Sequence, residues 1–202
     1  SLREAGVPAG RAALEGLRKY DIGGLELSKA LAGAGADDWA TAPFTIRVDC
    51  TLTDDSGTQG VWLEDYVFQI VEGAMSPASV SIDTLPAGAL CDISEVLTGG
   101  ANSTEVSIDS VVTGGTTASA TIAAGLDSDV VVTNTFELSE IDVTKVITGL
   151  GAELYGEGPF RVSLTCTREV NNETETIEIP GGATRDLRSD TLPLAYFAEY
   201  TG

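Results

Sequence analysis

The sequence predicts an all-β fold, built as tandem β-sandwich modules behind a short N-terminal helix, and three observations predict it. The chain is rich in Thr, Val, Ser and Gly and carries only two Trp and one Met, the usage of short strands joined by glycine turns. Apolar and polar residues alternate with period two along much of its length, as in strands with one buried face. The third observation is an internal repeat. "LELSKALAGAGADDWATAPFTIRVDCTL" (Leu25 to Leu52) aligns without a gap with "IDVTKVITGLGAELYGEGPFRVSLTCTR" (Ile141 to Arg168), at a constant offset of 116 residues. Lys29 falls on Lys145, Gly33 on Gly149, Phe44 on Phe160 and Cys50 on Cys166, so each period reads as one structural module.

Residues 1–21 form a leader. Within it "AGRAALEGLRKY" (Ala9 to Tyr20) is Ala/Leu-rich and reads as a short helix; with Arg3 it holds four of the eleven basic residues. It is either a docking segment or the tail of a preceding element. The first module, 22–137, opens on "LELSKAL", whose alternation turns Leu25, Leu27, Lys29 and Leu31 inward. "FTIRVDC" puts Phe44, Ile46, Val48 and Cys50 on one face, and the turn "TDDSGTQG" (Thr53 to Gly60) leads to the strand "VWLEDYVFQIV". "SVSIDTL" and "PAG" precede "ALCDISEVL", where Cys91, Ile93 and Glu95 share a face. "TEVSIDSVV" and "TTASATIAA" follow, and "DVVVTNTF" closes the module with Val130, Val132, Asn134 and Phe136 aligned. About seven short strands with Gly and Pro turns describe a small sandwich. The second module, 138–202, begins in the same way but has no counterpart of "CDISE" or "VVTNTF" before Gly202; it is expected to be incomplete in this chain.

Composition excludes several classes of function. A formal net charge of −20 argues against nucleic acid, whose phosphates need clustered Lys and Arg, and suits a soluble secreted or cell-surface protein. No run of apolar residues is long enough to span a membrane. Histidine is absent, which removes the commonest general base and zinc ligand. No catalytic triad, phosphate loop or metal-ligand cluster is seen, so neither enzyme turnover nor a metal or other cofactor is expected.

The chemistry that remains centres on lysine. The chain has only Lys19, Lys29 and Lys145, and the last two share one position of the repeat. An inward lysine is costly unless paired or neutralised, although one near a strand end can snorkel to water. Two further polar residues, Glu95 and Asn134, also fall on inward positions that an apolar core does not need. One Lys, one Glu and one Asn can form a self-generated isopeptide bond, the amine attacking the side-chain amide and releasing ammonia. Burial favours the neutral, nucleophilic amine and the protonated carboxyl that can relay protons, and packing supplies proximity. Lys145 is the equivalent amine of the second module.

"LELSK" at the start, "CDISE" late and "VTNTF" at the end of the module resemble the collagen-adhesin B-type (Cna-B-like) modules of Gram-positive surface proteins. "GPFRVSLTCT" (Gly158 to Thr167) and "LPAGALCDISE" (Leu85 to Glu95) are similar to the cysteine-containing actinobacterial relatives. The resemblance runs from Ile22 to Gly202, though each motif is short. It implies tandem Ig-like/prealbumin-like sandwiches in which the first-strand Lys29, the last-strand Asn134 and the intervening Glu95 carry the isopeptide. Cys91 departs from the aromatic that many such modules carry before the Glu.

Cys50 and Cys91 both face the core of the first module, and in an exported domain such a pair is expected to oxidise. By the repeat offset, Cys166 should pair beyond Gly202, leaving it unpaired here through truncation. Trp39 and Tyr155, at matching repeat positions, are candidate ligand-binding aromatics or packing residues at a module junction. The acidic turns "TDDSGT" and "LDSD" and the acceptor patterns at Asn102 and Asn172 are weak signals. The expected function is a structural stalk or spacer of an extracellular adhesin, pilus or filament, its partners being neighbouring modules of the same or an adjacent chain. The alternative is a ligand-binding module recognising a glycan or host protein.

Overall fold

The structure is a computed structural model and describes residues 21–113, 115–152, 156, 158–179, 182–187 and 194–196. The helix expected within residues 1–21 lies outside the described residues, apart from Asp21. Ten strands build two five-stranded sheets. They are β1 (Ile22–Ala32), β2 (Phe44–Asp54), β3 (Gly57–Val71), β4 (Ala74–Ser76), β5 (Ser79–Pro86), β6 (Leu90–Leu97), β7 (Ser103–Ile108), β8 (Val111–Val112), β9 (Thr117–Thr121) and β10 (Asp127–Thr135). One sheet runs β5-β1-β10-β7-β8 and the other β4-β3-β2-β6-β9. One helical turn, α1 (Ala36–Trp39), connects β1 to β2.

The period-two pattern decides which side chains fill the space between the sheets. Leu25 and Leu27 of β1, Val106 of β7, and Val130 and Val132 of β10 meet Phe44, Ile46 and Val48 of β2, Phe68 of β3 and Ile93 of β6 in one buried cluster. Burying each such large side chain is favourable by roughly 1.5–3 kcal/mol relative to exposure, and this drives the two sheets together. The first and last strands of the sandwich are neighbours. β1 runs parallel to β10, with Lys29 opposite Val132 and Leu31 opposite Asn134.

The expected turn at Thr53–Gly60 is much tighter than its composition suggests. The β2–β3 ladder continues through Thr53↔Thr58 to Asp54↔Gly57, so only Asp55 and Ser56 leave it. A two-residue connection keeps polar Gly57 to Gly60 in register, because backbone pairing does not require apolar side chains.

The C-terminal strands are β11 (Ile141–Val143), β12 (Phe160–Ser163), β13 (Cys166–Val170), β14 (Glu173–Ile177), β15 (Thr184–Leu187) and β16 (Leu194–Tyr196). Among the described residues they pair as three two-stranded ladders, β11–β16, β12–β15 and β13–β14. By the repeat offset, β11–β16 corresponds to the β1–β5 pairing, and the other two ladders to a β2–β3 hairpin broken in the middle. The β13–β14 turn is made by Asn171 (φ 51°) and Asn172 (φ 70°). Two consecutive left-handed residues are what a type I′ hairpin needs, and asparagine tolerates that region.

Candidate functional site

Between the sheets, four polar side chains meet where an apolar core would be expected. Lys29 comes from β1, Asn134 from β10 and Thr104 from β7, all in one sheet; Glu95 comes from β6 in the other. Thr104 lies directly opposite Asn134 in the β7–β10 ladder. Lys29, Glu95 and Asn134 are 5%, 7% and 0% exposed, so each must satisfy its polar atoms internally.

Glu95 is the hub. Its Oε1 lies 3.4 Å from Lys29 Nζ, with both side chains fully buried, and accepts a hydrogen bond from Asn134 Nδ2 at 3.0 Å. The second Nδ2 hydrogen goes to the Thr98 carbonyl at 2.7 Å. Lys29 Nζ donates to the carbonyls of Val132 at 3.1 Å and Ala30 at 3.2 Å, and sits 5.1 Å from the centre of the Phe44 ring.

Thr104 fixes the proton arrangement. Its Oγ1 is 2.9 Å from Asn134 Oδ1 and 3.0 Å from Glu95 Oε2. A hydroxyl carries one hydrogen, and an amide oxygen can only accept. Thr104 therefore donates to Asn134 and accepts from Glu95, which places a proton on Glu95 Oε2. A neutral Lys29 amine has two hydrogens, which the Val132 and Ala30 carbonyls take up, leaving its lone pair free. The network is satisfied with an amine and a carboxylic acid, the neutral counterpart of the Lys29–Glu95 ion pair.

Burial moves both groups toward their neutral forms. Burial lowers the Lys29 pKa to about 8, against the opposing pull of Glu95. Burial raises the Glu95 pKa, opposed by Lys29 and by the hydrogen-bonded neighbours Thr104 and Asn134. Desolvation disfavours both charged forms. The arrangement offers a nucleophilic amine, a carboxyl that can protonate a leaving group, and an amide polarised at its oxygen by a hydroxyl.

The other residues singled out in the sequence lie elsewhere. Cys50 and Cys91 are opposite each other in the β2–β6 ladder and form a disulfide. Cys166 is a half-buried free thiol. Lys145 is exposed and lies 5.0 Å from the Phe160 ring centre, the counterpart of the Lys29–Phe44 contact. Trp39 is half-buried, with its ring 5.0 Å from the Arg168 guanidinium; Tyr155 lies outside the described residues. Asn102 Oδ1 accepts from the backbone N–H of Glu137. Among the described residues no group of three or more His, Cys, Asp or Glu side chains could hold a metal ion, and no helix is long and apolar enough to cross a membrane. Thr104 is the site residue that sequence reasoning missed. Its signal was the alternation Thr104, Val106, Ile108, which puts it on the face of a buried valine.

Comparison with known proteins adds a family and several solved structures. No curated protein matches the chain. The solved structures include a pilus-presented adhesin, Cpa, at 19% identity and a TM-score of 0.39, covering 57% of this chain and 28% of that one. The major pilin of Streptococcus pyogenes matches at 16% identity and a TM-score of 0.37, covering 58% and 48%. An adhesin from Mobiluncus mulieris, described as containing disulfide, isopeptide and ester cross-links, matches at 19% and 0.41, covering 57% and 41%. The chain thus spans between about a quarter and a half of these solved chains. A family described as a domain of unknown function (DUF5979) matches residues 25–137, a span that contains the whole buried cluster. That match covers more than half of the sequence, and the chain belongs to this family.

Proposed function

We propose that residues 22–137 are a self-crosslinking module in the stalk of an extracellular surface protein, such as an adhesin or pilus, and that residues 138–202 begin a second module of the same kind. The observation that carries this reading is the closed Lys29–Glu95–Asn134 cluster, which puts an amine, a carboxyl and an amide in one buried network across the first and last strands. A disulfide inside the same sandwich and the strongly acidic composition support an oxidising, extracellular setting.

In the proposed step Lys29 Nζ attacks Asn134 Cγ. The Nζ–Cγ bond forms, the Cγ–Nδ2 bond breaks, and ammonia leaves. Glu95 gives its proton to the departing Nδ2 and recovers one from the attacking nitrogen, so the carboxyl ends as it began. Thr104 stabilises the charge that develops on Asn134 Oδ1, as a donor in an oxyanion hole does. The reaction occurs once per molecule and ties β1 to β10.

Intact mass spectrometry of the non-reduced chain is the test. The wild-type chain is expected to lack one ammonia and two hydrogens relative to its sequence, and Lys29→Ala or Asn134→Ala should restore the ammonia alone. A wild-type mass that retains the ammonia would remove the isopeptide from this function.

A further inference from the structure

The cluster's walls extend to the β13–β14 hairpin. Lys29 rests against Phe44, and Asn134 is held by the carbonyl of Thr98. The residues next to these two seats, Pro43 and Gly99, are bridged by a single side chain from the hairpin tip. Asn171 Nδ2 donates to the Pro43 carbonyl at 3.0 Å, and Asn171 Oδ1 accepts from the Gly99 N–H at 2.9 Å. Gly99 is buried and has φ +65°, and a Cβ there would lie 2.3 Å from Phe44 Cε1. The turn carrying Thr98 and the ring supporting Lys29 are therefore already in contact, and Asn171 ties their backbones together.

Neighbouring contacts hold the hairpin in place. Arg168 is 7% exposed and donates to the Trp39 carbonyl at 2.7 Å and to Thr41 Oγ1 at 3.0 Å. Its guanidinium stacks over the Trp39 ring, and its other side pairs with Glu175 at 2.7 Å. Val170 packs against Gly100. The hairpin that would be equivalent in the first repeat cannot make this contact. By the 116-residue offset, Leu52 stands in place of Arg168 and Asp55 in place of Asn171.

We propose that Asn171 is a positioning residue for the crosslink in the preceding sandwich, so that docking of the β13–β14 hairpin promotes the reaction between Lys29 and Asn134. This rests on the isopeptide reading above. Docking stiffens the two backbone segments that aim nucleophile and amide at each other, and misplacement by about 1 Å can cost a reaction around a hundredfold. An array built this way crosslinks each module once the next has folded onto it, and Arg and Asn at the hairpin select which module can follow.

The test uses the full chain made by cell-free synthesis, quenched at intervals into acidic denaturant and weighed intact under non-reducing conditions. Loss of two hydrogens reports the Cys50–Cys91 disulfide and hence a folded sandwich, and ammonia loss is timed only in molecules that carry it. Asn171→Ala is expected to slow ammonia loss about tenfold or more without delaying the disulfide. Asn171→Asp keeps the acceptor for Gly99 N–H but not the donor to Pro43, and should fall between. Arg168→Ala, which loosens the docked hairpin as a whole, should slow the reaction as well. Wild-type rates in both Asn171→Ala and Arg168→Ala would overturn the coupling and leave the isopeptide intact. A wild-type chain that never loses ammonia would overturn both.

Discussion

In the proposed crosslink lysine, glutamate and asparagine supply the reacting groups, but Thr104 decides how their protons are arranged. With one hydrogen to give and two oxygens within 3.0 Å, it sets Glu95 as donor and Asn134 as acceptor. Thr104→Val keeps the shape and removes the hydroxyl, so ammonia loss should slow by roughly two orders of magnitude, the usual effect of deleting one oxyanion-hole donor. Thr104→Ser should retain most of the rate. The pH profile separates this role from a packing defect. The reaction needs one proton shared by Lys29 and Glu95, the pair titrating as a unit. Below its lower titration step both groups are protonated and the amine has no lone pair. As pH rises through the upper step, which the lowered Lys29 pKa of about 8 brings toward neutrality, the carboxyl has no proton left to give. A bell is expected, measured as the rate of ammonia loss against pH. Thr104→Val should lower its height and let the limb that reports Glu95 move, whereas a variant that merely loosened packing would lower the height alone.

At the scale of strands, much of this arrangement was legible before any coordinates. Alternation is a local property of the backbone, so "LELSK", "CDISE" and "VVTNT" each place one polar residue among buried neighbours, and Lys29, Glu95 and Asn134 are all buried. Register is not local. That Thr104 faces Asn134 follows from how β7 slides on β10, and "STEVSI" carries no residue that announces it. The Asn171 bridge was less legible still, because it joins a hairpin tip to loops 72 and 128 residues away. Trp39 shows the limit from the other side. An aromatic in a polar loop reads as a ligand contact or as packing, and only the position of Arg168 shows what its ring touches. The β2–β6 ladder also gives a stability prediction. Cys50 and Cys91 close a loop with a sequence separation of 41, worth about 4 kcal/mol in the chain-entropy account. Replacing both by Ala in a Lys29→Ala background, where no isopeptide masks the effect, should lower unfolding free energy by up to that amount in a denaturant titration. No measurable loss would mean that the denatured chain is already compact around β2 and β6.

Over the whole sandwich, the disulfide and the proposed isopeptide would divide the mechanical work. Tension applied at the ends of 22–137 enters through β1 and leaves through β10, which are parallel neighbours. Without a crosslink that load shears the β1–β10 ladder, and the core opens once the ladder fails. With Lys29 joined to Asn134, tension passes through the new bond and the core between them carries none. Pulling the full chain in single-molecule force spectroscopy should therefore give no extension from residues 30–133 in the wild type, whatever force unfolds the C-terminal strands. In Lys29→Ala the same residues should be released at roughly 3.5 Å each, but in two stages. The segment between Cys50 and Cys91 stays locked by the disulfide and extends only when a reductant is present. A wild-type trace that releases the full length of 30–133 would show that tension does not run through Lys29 and Asn134. Release of that length in one step from Lys29→Ala without reductant would show that the disulfide does not form in the protein under load.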